Sequence, residues 1–118
     1  MADYTVKRIG AMEGTMGGGF RLARKELGVE AFGIQVIDLP AMYEGYPEHD
    51  HAADGQEEVF VVLVGEVDMD IDGEIVHLVA GKNIVRVGPS ARRKIRTGEE
   101  RARVLAIGGV PGEPYGAA

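Results

Sequence analysis

A chain of 118 residues with a formal charge of -6 and no cysteine is one domain by length, and folding buries about two thirds of the surface that its unfolded form exposes. The missing thiols exclude disulfides, thiolate metal sites and cysteine nucleophiles, and the acidic balance argues against general nucleic-acid binding, which needs a basic surface. No stretch approaches the ~18 apolar residues of a membrane span and the first ten residues carry no signal-like apolar run, so a cytoplasmic protein without membrane or nucleic-acid partners is expected.

In chain order, MGGGF at 16–20 lacks the Gly-Lys-Ser/Thr ending of a phosphate-binding loop and reads as a flexible lead-in to a helix. That helix is predicted over 19–28: Phe20, Ala23 and Leu27 recur at i, i+3 and i+7, and Gly28 stands where a left-handed C-terminal cap belongs. Seven short runs rich in Val and Ile then follow at 31–38, 58–64, 66–71, 74–80, 83–87, 92–96 and 102–108, separated by Gly, Pro or Asp-Gly. Short strands at that spacing point to an all-β antiparallel sandwich or barrel.

The pair Asp72-Gly73 predicts a two-residue hairpin turn, which sets a register of Ile71 opposite Glu74, Met69 opposite Val76, Asp68 opposite His77 and Val67 opposite Leu78. Val67, Met69, Val76 and Leu78 then share an apolar face, and His77 pairs with Asp68 on the polar one. The organisation expected is a single domain over 1–118: an N-terminal strand and helix within 1–30, a core barrel at about 31–108, and a Pro/Gly-rich tail at 109–118, disordered or laid over a neighbouring surface.

The chemistry concentrates at EHDHAADGQEEVFVVLVGEV, residues 48–67. In an extended chain residues i and i+2 project to one face about 7 Å apart, so His49 and His51 can converge on one ion while Asp50 points away. A carboxylate from a neighbouring strand completes a two-histidine, one-carboxylate face with open coordination positions, suited to iron(II) or a similar divalent ion. Adjacent glutamates face opposite ways, so one of Glu57 and Glu58 can join.

This pattern resembles the cupin superfamily of small jelly-roll barrels, whose first motif runs His-x-His, three or four residues, Glu, six residues, Gly. Glu58, followed by VFVVLV and Gly65, matches its second half, so the resemblance assigns His49, His51 and Glu58 as ligands of a divalent ion (Fe, Mn, Zn or Ni). Six residues separate His51 from Glu58, a lengthening that loops tolerate at about 0.6 kcal/mol per doubling. The second motif, Gly, five residues, Pro-x-Gly-x-x-His, supplies the family's fourth ligand; counted from Gly81 the histidine position falls on Arg92, and counted from Pro89 it falls on Lys94.

Arginine does not ligate metals, but its guanidinium pairs with carboxylates, so either Arg92 is the anion-binding residue of the cluster ARRKIR at 91–96 or most of that cluster is a solvated strand face. The side-chain parity of that strand is open: Arg92 inward brings Lys94 and Arg96 with it, whereas Ile95 inward brings Arg93. Gln35, Tyr43, Tyr46 and Phe60 are the expected remaining wall residues. The resemblance also implies a homodimer. Three functions follow: a divalent-metal cupin that binds or transforms a small organic molecule, a metal-free cupin holding a small anion, and a dimeric accessory domain without catalysis.

Overall fold

Along the last strand, Ala102, Val104 and Ala106 are buried while Arg103, Leu105 and Ile107 are half-exposed, a period-two alternation that a sheet with one inward face imposes. The structure, a computed structural model, describes residues 2–115. Among them the strands are β1 (Gly14–Thr15), β2 (Phe20–Arg21), β3 (Gly33–Leu39), β4 (Glu57–Val64), β5 (Glu66–Ile71), β6 (Glu74–Val79), β7 (Ile84–Val87), β8 (Arg93–Arg96) and β9 (Ala102–Gly109), with one helix, α1 (Ala23–Leu27), after β2 and a 3-10 turn at Ile9–Ala11.

The strands form two antiparallel sheets, one in the order β1-β2-β3-β9-β4-β7 and one in the order β6-β5-β8. Inward side chains of both sheets meet in one core that contains Ile37, Phe60, Val62, Met69, Leu78 and Ile95. The hairpin at Asp72-Gly73 has the expected register at all its pairs, with φ of 51° and 88° at the two turn residues, as a type I′ turn requires.

The N-terminal region departs from the expectation. The helix is confined to Ala23–Leu27, ended by Gly28 in the left-handed region, and Phe20 and Arg21 belong to a strand instead. The backbone of β3 supplies the reason: Phe20 pairs with Ile37 and Arg21 with Val36, and a sheet edge with free hydrogen-bonding groups outweighs a weak helical periodicity. The MGGG of that run, residues 16–19, is the turn of the β1–β2 hairpin, with positive φ at Met16, Gly17 and Gly18. Met12, Ala23 and Val36 form a second small core on the outer face of the larger sheet. Of the expected tail, residues 116–118 lie outside the described residues.

Asp38 ties three strands together. Arg103 donates to both of its oxygens, at 2.6 and 3.1 Å, and Arg21 Nε donates at 3.0 Å. The hydrogen bond from Arg103, reinforced by Arg21 and opposed by burial, holds the Asp38 carboxyl below its ordinary value of 3.8. A depressed carboxyl contributes stability above its unfolded pKa and loses it as pH falls through the lower folded value. Asp38→Asn is therefore expected to lose about 1–2 kcal/mol in urea unfolding at pH 7, the range of a charge-assisted pair partly open to water. The gap from wild type should close in acid below the ordinary carboxylate range.

Candidate metal centre in the barrel wall

The segment between β3 and β4 carries both histidines and, with Pro40 and Pro47 in it, forms no continuous strand. It is nonetheless stitched to the smaller sheet. Thr97 Oγ1 donates to Pro40 O at 2.6 Å and accepts from Tyr43 N at 2.8 Å. Farther on, His49 and Arg93 exchange backbone hydrogen bonds at 2.8 and 3.1 Å, and His51 N donates to Pro89 O at 2.9 Å. His49 thus faces Arg93 in an isolated antiparallel bridge, so their side chains project to the same side of the sheet.

Strand parity brings in the carboxylate. Glu58 has the inward phase of Phe60 and Val62 on β4, while Glu57 turns outward toward Arg86, 3.5 Å away. One donor atom each of His49, His51 and Glu58 lie within 4.8 Å of one another. Gly108 on β9 makes room: a Cβ there would stand 3.3 Å from Glu58 Cγ and 3.1 Å from Gln56 Oε1.

Both imidazoles are oriented by their other nitrogen. His49 Nδ1 lies 2.9 Å from Pro47 O, which can only accept, so Nδ1 carries the hydrogen. His51 Nδ1 lies 3.2 Å from both oxygens of Asp54. In the neutral rings each Nε2 then holds the lone pair, the arrangement in which outer partners set the tautomer of ligating histidines. The Asp54 carboxyl is lowered first by the backbone N–H of Gln56 and also by His51, against the effect of burial.

His51 Nε2 and Glu58 Oε1 stand 3.2 Å apart, yet both are buried and neither has a hydrogen-bond partner. Two electron-rich atoms so placed fit a common cation: ligands at about 2.1 Å from an ion at a right angle are separated by about 3 Å. The donor set and these orphaned atoms fit a divalent metal.

The open parity of β8 resolves with Ile95 and Arg93 inward. Arg93 is 0% exposed, its Nη2 donating to Val87 O and Gly88 O at 3.3 and 3.1 Å and its Nε 3.8 Å from Glu58 Oε1. Its Nε and Nη1 have no partner. Arg92 is displaced from the expected role: its side chain is 57% exposed and pairs with Glu48 at the surface. The alternation that buries Ile95 forces this choice.

A cavity of about 720 Å³ opens beside the triad, and Gln35 and Tyr46 line it together with His49, His51 and Glu58. Tyr46 stacks on Phe20 and lies 5.8 Å from the His49 ring, and its hydroxyl pKa is raised by burial and then by the Glu58 charge. Tyr43 packs against the main core from its edge. Phe60 is sealed within that core and does not reach the cavity. His77 is on the opposite face of the smaller sheet, Nδ1 2.7 Å from Asp68 Oδ1, and that hydrogen bond raises its pKa.

Two facing antiparallel sheets around a histidine- and glutamate-lined cavity define a small double-sheet barrel of the jelly-roll type. The chain has the cupin fold: a cupin protein from Bacteroides fragilis superposes with a TM-score of 0.75 at 23% identity, over 100% of this chain and 93% of that one. An RmlC-like cupin protein from Desulfovibrio desulfuricans gives 0.59 at 26% identity, over 68% and 73%. The Cupin_2 domain of an XRE family transcriptional regulator from Enterobacter cloacae gives 0.60 at 24%, over 71% and 86%. The chain spans 56% of each of two further similar structures. No family model and no curated protein matches the sequence.

Asp54 and Gly108 escaped the sequence reading, and Arg93 stood there only as one of two open phases of its strand. Asp54-Gly55 is a turn signal three residues after His51, and Asp54 accepts from Gln56 N as well as from His51. Arg93 and Gly108 carry no local signal, because both matter only through strands distant in sequence. Replacing Arg93 by Met removes a buried positive charge next to Glu58, and a unit charge about 5 Å away exerts a few kcal/mol at an effective dielectric of 20. Arg93→Met is expected to raise divalent-ion affinity at least about tenfold in chelator competition, and Arg92→Met to leave it unchanged. Equal responses would contradict the inward assignment of Arg93.

Proposed function

We propose that this protein is a divalent-metal-binding cupin that binds or transforms a small organic molecule in its cavity. The carrying observation is the unpartnered contact of His51 Nε2 with Glu58 Oε1, buried and 3.2 Å apart, with the Nδ1 atoms of both histidines already engaged. His49, His51 and Glu58 would hold the ion, and a two-histidine, one-carboxylate set favours iron(II) among iron, manganese, zinc and nickel. Such an ion supplies Lewis acidity and orients a bound oxygen-donor group. The protein's own part is to present Gln35 and Tyr46 to that group and to keep water away with the apolar cavity wall. Oxygenation, isomerisation and decarboxylation are the reaction classes compatible with this site.

A metal-free, anion-binding reading draws on one observation, the two unpartnered donor atoms of buried Arg93. The Arg93 guanidinium and a divalent ion compete for the Glu58 carboxylate, so metal content separates the two readings. A cavity with buried polar groups at one wall speaks against an accessory domain without a ligand.

Elemental analysis after incubation with iron(II), manganese, zinc or nickel is expected to give one equivalent for wild type. His49→Ala and Glu58→Gln should fall below about a tenth of an equivalent while remaining folded, since His49 removes little core volume and the glutamine amide keeps an acceptor oxygen beside buried Arg93. Glu57→Ala and His77→Ala should keep the metal. Wild-type protein that takes up none of the four ions would defeat the proposal.

The homodimer belongs to the same proposal. On the outer face of the larger sheet Val61 lies between Leu105 and Ile84 in register, and Ile84 is 64% exposed. The charges beside this patch are paired within the chain, Glu57 with Arg86 and Asp38 with Arg103 and Arg21, so a second copy meets an apolar patch with paired charges at its rim. Ile84→Glu is expected to convert a dimer to a monomer in sedimentation velocity, and a wild-type monomer at about 100 μM would remove the dimer from the proposal.

A further inference from the structure

At the end of the cavity away from the triad, Arg21, Arg24 and Lys25 of β2 and α1 contribute to the wall. Two of these cations are matched. Lys25 Nζ lies 2.9 Å from Glu13, and Arg21 holds Asp38, although Asp38 also serves Arg103, so one carboxylate faces two guanidiniums there. Arg24 has no carboxylate partner among the described residues. Its Nε is shielded from water without a hydrogen-bond acceptor, and its guanidinium lies 4.8 Å from the centroid of the Tyr115 ring. Stacking on an aromatic face offsets part of the desolvation of a cation but supplies no acceptor for its N–H groups.

The stack is built into the fold. Tyr115 rests against Gly33 at the start of β3, where a Cβ would come within 2.5 Å of the phenol oxygen. At the other end of the cavity the carboxylates Asp54 and Glu58 have His51 and Arg93 beside them. Arg24, without a carboxylate partner among the described residues, therefore leaves an unmatched guanidinium at the α1 end, on a chain whose formal charge is -6. Between the two ends the wall is apolar, with Phe20, Leu22 and Ala106.

We propose that Arg24 is the recognition residue for a small organic carboxylate that spans the cavity. Its carboxylate sits on the Arg24 guanidinium, its carbon skeleton lies along Phe20 and Leu22, and its far end faces His49, His51 and Glu58. The assignment of the far end rests on the metal-centre reading; the assignment of Arg24 does not. The apolar middle of the cavity selects an anion with a carbon skeleton over free phosphate, and the guanidinium offers a carboxylate two parallel N–H donors.

Titration calorimetry on metal-stripped protein tests this with benzoate and hexanoate as probes, benzamide as the uncharged control and inorganic phosphate as the competing anion. Wild type is expected to bind at least one carboxylate, and Arg24→Gln to weaken it at least about tenfold, the worth of a charge-assisted pair. Arg24→Lys, which keeps the charge without the fork, should fall in between and controls for misfolding. Benzamide should be insensitive to both Arg24 substitutions, and Gly33→Ala, which displaces Tyr115, should weaken benzoate without removing a charge. Metal affinity of Arg24→Gln in chelator competition should stay within about twofold of wild type, as expected for separate sites.

No carboxylate binding up to about 10 mM, equal binding by Arg24→Gln, or Arg24-dependent binding of phosphate alone would overturn the proposal. Arg24-dependent benzoate binding by wild type that takes up no metal would sustain Arg24 and overturn only the metal-centre reading.

Discussion

Two backbone hydrogen bonds between His49 and Arg93, at 2.8 and 3.1 Å, are the constraint on which the site depends. They bind a proline-interrupted segment to the free side of β8, and one bridge is enough to set which side chains of that segment face inward. Once His49 faces Arg93, the two-residue period carries His51 to the same wall, and Glu58 arrives from the opposite sheet with the phase of Phe60. No residue of the triad is adjacent to the others in a continuous element. The barrel core holds them in place, and the longer loop from His51 to Glu58 costs little because Asp54 and Gly55 order it from within.

Charge is distributed around the cavity against the overall sign of the chain. The two carboxylates at the triad end each have a nitrogen group beside them, whereas at the α1 end Arg21 and Arg103 share Asp38 and Arg24 has no carboxylate partner among the described residues. Buried Arg93 sets a balance at the triad: it compensates Glu58 when no ion is bound and opposes a divalent ion when one is. A site of this kind favours an anionic guest, since metal and Arg93 together exceed what Glu58 neutralises.

The N-terminal thirty residues show how tertiary contacts override a local pattern. The apolar spacing of Phe20, Ala23 and Leu27 is helical, but only the second half becomes a helix. Phe20 gains burial in the main core and Arg21 gains Asp38 when both join the edge of β3, and five helical residues isolated from packing have little stability of their own. The same rearrangement brings Arg21, Arg24 and Lys25 to the cavity, so the departure from the local pattern also shapes the proposed ligand site.

The sequence by itself determined the all-β class, the seven long strands to within about two residues, the Asp72-Gly73 hairpin with its register, and the grouping of His49, His51 and Glu58. The class, the strands and the hairpin follow from side-chain periods of two and from turn residues with positive φ, which are local properties of a chain, whereas the choice of Glu58 over Glu57 came from the resemblance to the cupin motif. Tertiary structure alone decided that Arg93 and not Arg92 faces the interior, that Phe60 is core rather than cavity wall, that Asp54 and Gly108 support the ligands, and that Arg24 reaches the same cavity as the histidines. Each of these depends on which strands lie side by side: a run of adjacent charges such as 92–94 has no preferred phase until the burial of Ile95 against the opposite sheet selects one.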